Sequence, residues 1–584
     1  TGDPLPGVNV VVKGTTLGTA TDLEGRYSLT VPSLQDTLVF SFVGYVTREE
    51  PIAGRSVVDV SLTPTVIRGE EIVVIGYGTQ RREDITSAVA KVTSEDFRLG
   101  QVKSALELVK GKIAGVNIGT PSGNPNAGVE INIRGVTTLS GDRAPLIVID
   151  GVPGGSLSSI APEDIESIDV LKDASAAAIY GTRGTNGVIL ITTKKGQGTG
   201  TRVDYHGYAS YQTILRKIEV FSAEEYRQIN AGEHPIGQAG VRVADFGYNT
   251  DWFDLVTRNP WNMTHYLSVA NSGRAGNVVA SFTYRGQNGL FYKSDREEVI
   301  GRVAYDQFFW DDRVNVEATV TQSIISYREL GSAGDAGNVY RQAIWRNPTD
   351  RPKDDNGNWI ERPVFQYYNP VAMLEETINH NKANVLLATG RVRIEPMEGM
   401  FLGTMLATQR TQFINGYYET HRHFSTTFNG VNGYASRFTS WDVSRNWELT
   451  AEYEKDFKDH RFKILGGYNY QDFEYESFNA NNRIFPSDAF TYNNLSVGEG
   501  LGQGRAGMDS YKSMNKLIAF FGRINYAFKD RYLFNASVRR EGSSKFGKNH
   551  KWGWFPAISA GWRLGQEPFI RNALNFVDDL KLRI

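Results

Sequence analysis

The stretch EDIESIDVLKDASAAAIYGTRGTNGVILITTKKG, residues 163–196, decides the fold. It reads as strand, short helix, glycine turn, strand. Ile165, Ile168, Val170 and Leu171 form the apolar run of a short buried strand. Asp173 is placed to cap a helix beginning at Ala174, and the alanines at 174 and 176–178 suit a small helix in a tight space. Gly181, Gly184 and Gly187 allow sharp reversals. Val188–Thr193 is a β-branched strand, ended by Lys194, Lys195 and Gly196. No G-x-G-x-x-G follows a strand and opens a helix, which excludes a dinucleotide-binding reading.

C-terminal to this stretch the hydrophobic period is two almost everywhere. Val278, Ala280, Phe282 and Tyr284 share one face and Val279, Ser281, Thr283 and Arg285 the other. The clearest apolar face is Ile518, Phe520, Gly522, Ile524, Tyr526 and Phe528, opposed by Arg523 and Asn525. About twelve such segments of roughly ten residues or more lie near 202–212, 263–272, 277–288, 297–308, 312–325, 383–396, 400–411, 444–457, 460–474, 515–528, 530–541 and 555–564. Soluble sandwich strands are nearer five or six residues, so these fit strands that cross a lipid bilayer as an antiparallel barrel. Short links such as Phe528–Arg531 alternate with inserts near 213–262, 326–382, 412–443 and 475–514, which carry turn dipeptides such as Asn356-Gly357 and Asn432-Gly433.

N-terminal to the stretch, three units are expected. Residues 1–63 alternate through Val8, Val10 and Val12, then Tyr27, Leu29 and Val31, then Leu38, Phe40 and Phe42, and close with Val58, Val60 and Leu62. About seven short strands predict a small β-sandwich. Residues 64–84 form a linker around the β-prone run Glu70, Glu71, Ile72, Val73, Val74, Ile75, Gly76, Tyr77. That run either adds to a partner's sheet edge or pairs within the folded protein. Residues 85–200, ending with the opening stretch, form an α/β unit large enough for its own core.

Composition agrees with a mainly β protein. The 584 residues include 60 Gly, 30 Phe, 28 Tyr and 10 Trp, a mixture for strands, turns and aromatic girdles. With no cysteine, disulfides and thiolate metal sites are excluded. A net charge of -2 offers nucleic acid no concentrated basic face. No run of 18 apolar residues exists, so no transmembrane helix is expected, and strands are untouched by that test. The chain opens inside the turn-like phrase Thr1–Gly7, which reads as a processed or partial start.

The phrase VLKDASAAAIYGTRGTNGVILITTKKG, residues 170–196, resembles the hallmark of the SusC/RagA-like family of TonB-dependent transporters. Arg134-Gly135, Asp150-Gly-Val-Pro153 and Trp554-Phe-Pro-Ala-Ile-Ser-Ala-Gly-Trp562 match the family's style, and 1–63 resembles the carboxypeptidase-regulatory-like, transthyretin-like domain. The resemblance implies a bacterial outer-membrane barrel of about 22 strands, with 85–200 as an internal plug and 201–584 as part of the barrel. It implies that Glu70–Tyr77 contacts TonB of the inner-membrane energy complex. It implies a SusD-like surface lipoprotein as lid, a glycan or peptide as cargo, outer-membrane lipid as surroundings, and in some members a dimer of transporter–lid pairs. About twelve strands are too few for that barrel, so an incomplete barrel is expected.

Active nutrient import is the leading function, and a soluble or surface carbohydrate-binding protein is the alternative. An enzyme ranks third. The eight His, His421 and His423 among them, have no metal-ligand spacing, and no carboxylate pair or Ser/His/Asp set stands out. No cofactor is expected. Calcium has only Lys353–Asn358 to recommend it, and that segment lacks the register of a helix-loop-helix calcium motif and reads as a turn. Tyr367, Tyr368, Tyr417, Tyr418 and Trp441 are candidates for an aromatic substrate surface in the loops, with loop-core and girdle roles as the alternative.

Overall fold

The computed structural model describes residues 4–15, 17–42, 45, 47–62, 72–97, 100, 102, 104–120, 123–135, 143–173, 177–196, 198–330, 336–362, 367–573 and 580–584. It divides into two compact units, 1–72 with 81–83, and 73–80 with 84–584.

In the first unit, β1 (Asn9–Val12), β2 (Gly18–Ala20), β3 (Thr37–Ser41) and β4 (Arg48–Pro51) form one antiparallel sheet in the order β2-β1-β3-β4. Alternation places Val10, Val12, Leu38 and Phe40 in its core. The count of about seven strands is corrected to four among the described residues. Tyr27, Leu29 and Val31, and Val60 and Leu62, pack on that core without joining a ladder. An apolar alternation records which face is buried and leaves backbone pairing open.

Two short strands follow, β5 (Ile72–Ile75) and β6 (Gly78–Arg81), paired as a two-stranded sheet. The plug region of the second unit contains β7 (Val89–Thr93), β8 (Val116–Gly119), β9 (Glu130–Ile133), β10 (Leu146–Ile149), β11 (Val152–Pro153), β12 (Ile165–Leu171) and β13 (Val188–Thr193). Five of them build a mixed sheet ordered β11-β10-β13-β12-β7, in which β10 and β13 run parallel. Ile168, Val170, Ile189 and Ile191 are buried in its core.

The helix expected from Ala174 falls largely outside the described residues, at whose end Ala177 is helical and donates its amide to the Asp173 carbonyl at 3.1 Å. Residues 174–176 lie outside the described residues, and 178–184 form 3-10 turns broken at Gly181, whose φ is 64°. Asp173 accepts from the Ala88 amide at 2.6 Å and from Arg134 through its carboxylate. Gly184 has no positive φ. A Cβ there would lie 2.5 Å from the Ala177 carbonyl oxygen, so close approach explains this glycine.

Thirteen strands then form one antiparallel wall in chain order. They are β14 (Gly200–Tyr211), β15 (Trp261–Gly273), β16 (Gly276–Asn288), β17 (Asp295–Phe309), β18 (Val314–Arg328), β19 (Thr377–Met397) and β20 (Met400–Glu419). The run continues with β21 (Tyr434–Phe457), β22 (His460–Arg483), β23 (Gly507–Phe528), β24 (Tyr532–Ser543), β25 (Trp552–Arg563) and β26 (Lys581–Arg583). Among the described residues it is an open sheet with β14 and β26 at its edges. The insert expected at 412–443 shrinks to 420–433, because β20 and β21 run on in register beyond the apolar segment. Aromatic and polar residues mix on both faces there, with Tyr418 and Ala435 buried in an apolar cluster, so the simple apolar period fades before the ladder does.

The wall is inside-out relative to a soluble sheet. On β23, Phe520 is 52% exposed and Ile524 45%, whereas Arg523 is 5% exposed against the plug. An apolar outer face of this kind is stable only against lipid. The tight links at 310–313, 398–399, 458–459 and 529–531 mark one end. At the other end the inserts 212–260 and 329–376 pack on each other through Trp252, Val256, Val339 and Met373.

Candidate functional site

The plug is fastened to the wall by polar contacts, several of them buried. Asp164 is 1% exposed and accepts from Tyr266 Oη at 3.0 Å and Ser281 Oγ at 2.9 Å. Burial pushes its carboxyl above the ordinary range, partly opposed by Arg302. Arg285 pairs with Glu163 of the plug at 3.2 Å and with Glu298 at 3.0 Å. Arg302 donates to Thr193 at 2.6 Å, Lys195 pairs with Glu317 at 2.7 Å and Asp306 at 3.1 Å, and Thr182 donates to Glu541 at 2.7 Å. Asp164, Arg285, Glu298 and Arg302 are buried, where such groups are strong when paired and costly when not, so they hold one seated arrangement, and the exposed Lys195 and Thr182 add rim contacts.

Residues 73–80 belong to this seat. Of the expected TonB-contact residues, Glu70 and Glu71 lie outside the described residues, as does the side chain of Ile72. Val73 and Ile75 are buried beside Ile85, and Val74 and Tyr77 pack on the plug core. Arg523 donates to the Gly76 carbonyl at 2.5 Å and to the Tyr77 carbonyl at 3.4 Å. The Tyr77 ring stacks between Phe521 (4.1 Å) and Tyr180 (5.5 Å), and Arg539 reaches its hydroxyl at 3.4 Å. Burial pushes the phenol up to about 12, with Arg539 opposing. Gly76 is required because a Cβ would collide with Ile179.

The loop candidates are spread over several surroundings. Tyr367 accepts from the Asn347 amide at 2.7 Å beneath the Arg346 guanidinium. Tyr368 stacks on Phe424 at 4.0 Å, and Tyr417 donates to Glu419 at 2.8 Å in a small cavity that Phe424 also lines. Tyr418 is fully buried against Phe485 and donates to Asp488 at 2.8 Å, while Trp441 sits along β21. His421 bonds the Phe485 carbonyl and Asp488, and His423 caps residues 424–429. Asp354 spends its carboxylate on the amides of Asn356 and Asn358, as a turn does. Among the described residues no group of three His, Asp or Glu could hold a metal ion.

Phe521, Arg523, Arg539 and Tyr180 were not singled out in the sequence as site residues. Their one signal was an arginine opposed to an apolar face in mid-strand, the pattern of Arg523. A folded plug tied by buried polar groups to a wall with an apolar outer face defines a plugged, membrane-embedded β protein.

Comparisons with known proteins narrow that class. Residues 81–188 match the TonB-dependent Receptor Plug Domain and residues 1–74 the CarboxypepD_reg-like domain. A TonB-dependent receptor of Formosa agariphila is 32% identical over all of this chain and 55% of its own length. TonB-dependent receptor SusC of Bacteroides thetaiotaomicron is 31% identical over all of this chain and 59% of its own. Among solved structures, the RagAB peptide importer in its open-open state superposes with a TM-score of 0.73 at 22% identity, covering 88% of this chain and 60% of that one. The chain belongs to the SusC/RagA family of TonB-dependent outer-membrane transporters. It spans a little over half the length of the curated relatives that it matches.

Proposed function

We propose that the complete protein imports a nutrient across the outer membrane, driven by TonB pulling on the segment that begins at Glu70. The observation that carries this reading is the seating of 73–80, a short segment held on one side by the plug and on the other by Arg523 and Phe521 of the wall. Force on this segment acts on the plug directly. The cargo is an oligosaccharide or a peptide, the latter by analogy with the RagAB peptide importer. A SusD-like lipoprotein covers the end that carries the packed inserts 212–260 and 329–376. Residues 1–63 act as a small regulatory-like sandwich domain, and dimers of transporter–lid pairs are the expected assembly.

Deleting 70–77 tests the coupling. Surface abundance and cargo binding stay near wild type and uptake is lost. Wild-type uptake by the deletion strain would refute the role. Mass spectrometry of co-purified ligand distinguishes glycan from peptide. Exposed apolar residues on the wall argue against the soluble carbohydrate-binding alternative, since Phe520, Ile524 and Trp554 would face water.

A further inference from the structure

The wall carries a cavity of about 580 Å³ on its outer face at the insert end, within the size range of small-ligand sites. Met263, Gly286, Glu297, Ser326 and Lys382 stand opposite one another across β15–β19 and form its lower row. Asp295, Arg328 and His380 form the row above, across β17–β19. Both rows face away from the plug, because their chain neighbours Arg285 and Glu298 pair on the plug side, where Arg285 also meets Glu163. Ser326, between Glu297 and Lys382, is the small residue that leaves room in the lower row.

Below these rows the outward positions of β17 are Val299, Gly301, Val303, Tyr305 and Phe309, with Gln307 bonding back to the Ala275 carbonyl at 2.8 Å. About ten residues of tilted strand rise roughly 25 Å, the height of a barrel's apolar band. The cavity therefore lies at head-group level, on the side where such barrels carry their long loops. The insert between β22 and β23 closes its far side. Tyr492 of that insert lies on Gly416, where a Cβ would come 2.6 Å from the ring, and it bonds His380 at 2.9 Å beneath the Arg437 guanidinium at 5.1 Å. Trp261, 63% exposed, and Tyr284 stand on the near side. Arg328 grips Asp295 at 2.8 Å, whereas among the described residues Lys382 and Glu297 form no ion pair.

We propose that this cavity binds the phosphorylated sugar head group of a glycolipid in the outer leaflet. The proposal rests on the lipid-facing side of the wall and is independent of how cargo is driven. Lys382 and Arg328 supply cations for a phosphate, and Glu297 accepts from sugar hydroxyls. Trp261 and Tyr492 offer the sugar ring faces from opposite sides. The acyl chains continue over Val299 and Ile324, a cross-strand pair on the lipid side. A phospholipid without hydroxyls meets the same cations but leaves Glu297 against a like charge. Bound there, the glycolipid joins the wall to the insert that carries Tyr492.

The test adds monophosphorylated lipid A to the complete, delipidated transporter in detergent and reads retention by native mass spectrometry. Wild type retains it about tenfold more tightly than the dephosphorylated lipid or phosphatidic acid. Lys382→Ala weakens retention of lipid A about tenfold, the loss of one charge-assisted hydrogen bond. Ser326→Trp, which fills the recess, weakens it at least as much, and Lys382→Ala decides alone if the tryptophan variant fails to fold by heat-modified gel mobility. Lys512→Ala, on β23 where Glu474 and Glu476 hold the lysine at 2.7 and 3.0 Å, leaves retention unchanged. Retention that ignores Lys382→Ala, that is equal for the three lipids, or that falls as far with Lys512→Ala overturns the site. A dimer mass abolished by Ser326→Trp with lipid retention unchanged assigns the face to a second copy and overturns it too. Cargo uptake enters none of these readings, so a failed lipid site leaves the import reading intact.

Discussion

The ring of Tyr77 stacks on that of Phe521 at 4.1 Å, and two residues further along the same wall strand Arg523 holds the carbonyl of Gly76 at 2.5 Å. A segment that reads in the sequence as a β-prone linker is thereby seated on the wall. Phe521→Ala removes about 3–5 kcal/mol of packing, and Arg523→Ala leaves the two carbonyls without their donor. Both substitutions increase thiol labelling of Val74→Cys at rest. Labelling equal to that in the unsubstituted background would show that the clasp holds nothing.

Replacing Gly184 by valine unseats the plug. Its Cβ meets the Ala177 carbonyl, a backbone atom that cannot swing aside. Overpacking of this kind costs about 1–3 kcal/mol. Trypsin should then cut within 85–196 while the wall keeps its heat-modified mobility. A plug as protease-resistant as wild type would contradict the close-approach account.

The outer face of β23 meets lipid. Phe520→Arg or Ile524→Arg costs about 2–4 kcal/mol near the bilayer midplane, and the folded outer-membrane fraction drops. Asn525, on the inner face, tolerates serine with a smaller loss. Equal recovery of all three variants would remove the lipid assignment.

Glu361 makes the insert 329–376 sensitive to pH. Burial pushes its carboxyl from 4.5 to about 7, against an opposing hydrogen bond from the Asn369 amide and the charges of Arg346 and His423. The folded value lies above the unfolded one. Stability is therefore full below about 4.5 and is lost as pH rises toward 7, on the order of 3 kcal/mol at about 1.4 per unit. Limited proteolysis of 346–369 between pH 4.5 and 8 reads this slope, and Glu361→Gln flattens it. An unchanged slope in the variant would exclude Glu361 as the source.

The lid is tested from the insert 329–376 and from the adjoining end of β20. Photocrosslinkers replacing Tyr367 and Tyr417 in intact outer membranes capture a surface lipoprotein, and an external probe labels both positions. Neither capture nor labelling would overturn both the orientation and the partner.

Much was legible in the sequence because the relevant physics is local. A period of two over ten or more residues marks where all twelve long wall strands lie, since alternate side chains must face lipid and plug in turn, but β20 to β23 each run about eight to ten residues past the expected segment. Val188–Thr193 is found at its expected bounds because β-branched residues and the flanking glycine and lysines are local signals. Asn432 and Gly433 turn with positive φ, as their dipeptide requires.

What the tertiary structure decided is which long-range partner each ambiguous group takes. The alternation of 27–31 and 58–62 is the same whether the backbone pairs or only packs, and here it only packs. The Asp173 carboxylate reaches the amide of Ala88 and the guanidinium of Arg134, partners that its own sequence neighbourhood does not announce. Arg523 is in sequence an arginine in a strand, and its role depends on Gly76 lying 447 positions away. Spacing and composition carry the periods of strands. They do not carry the identity of the group brought opposite once the plug is seated, because that is set by packing across the whole wall.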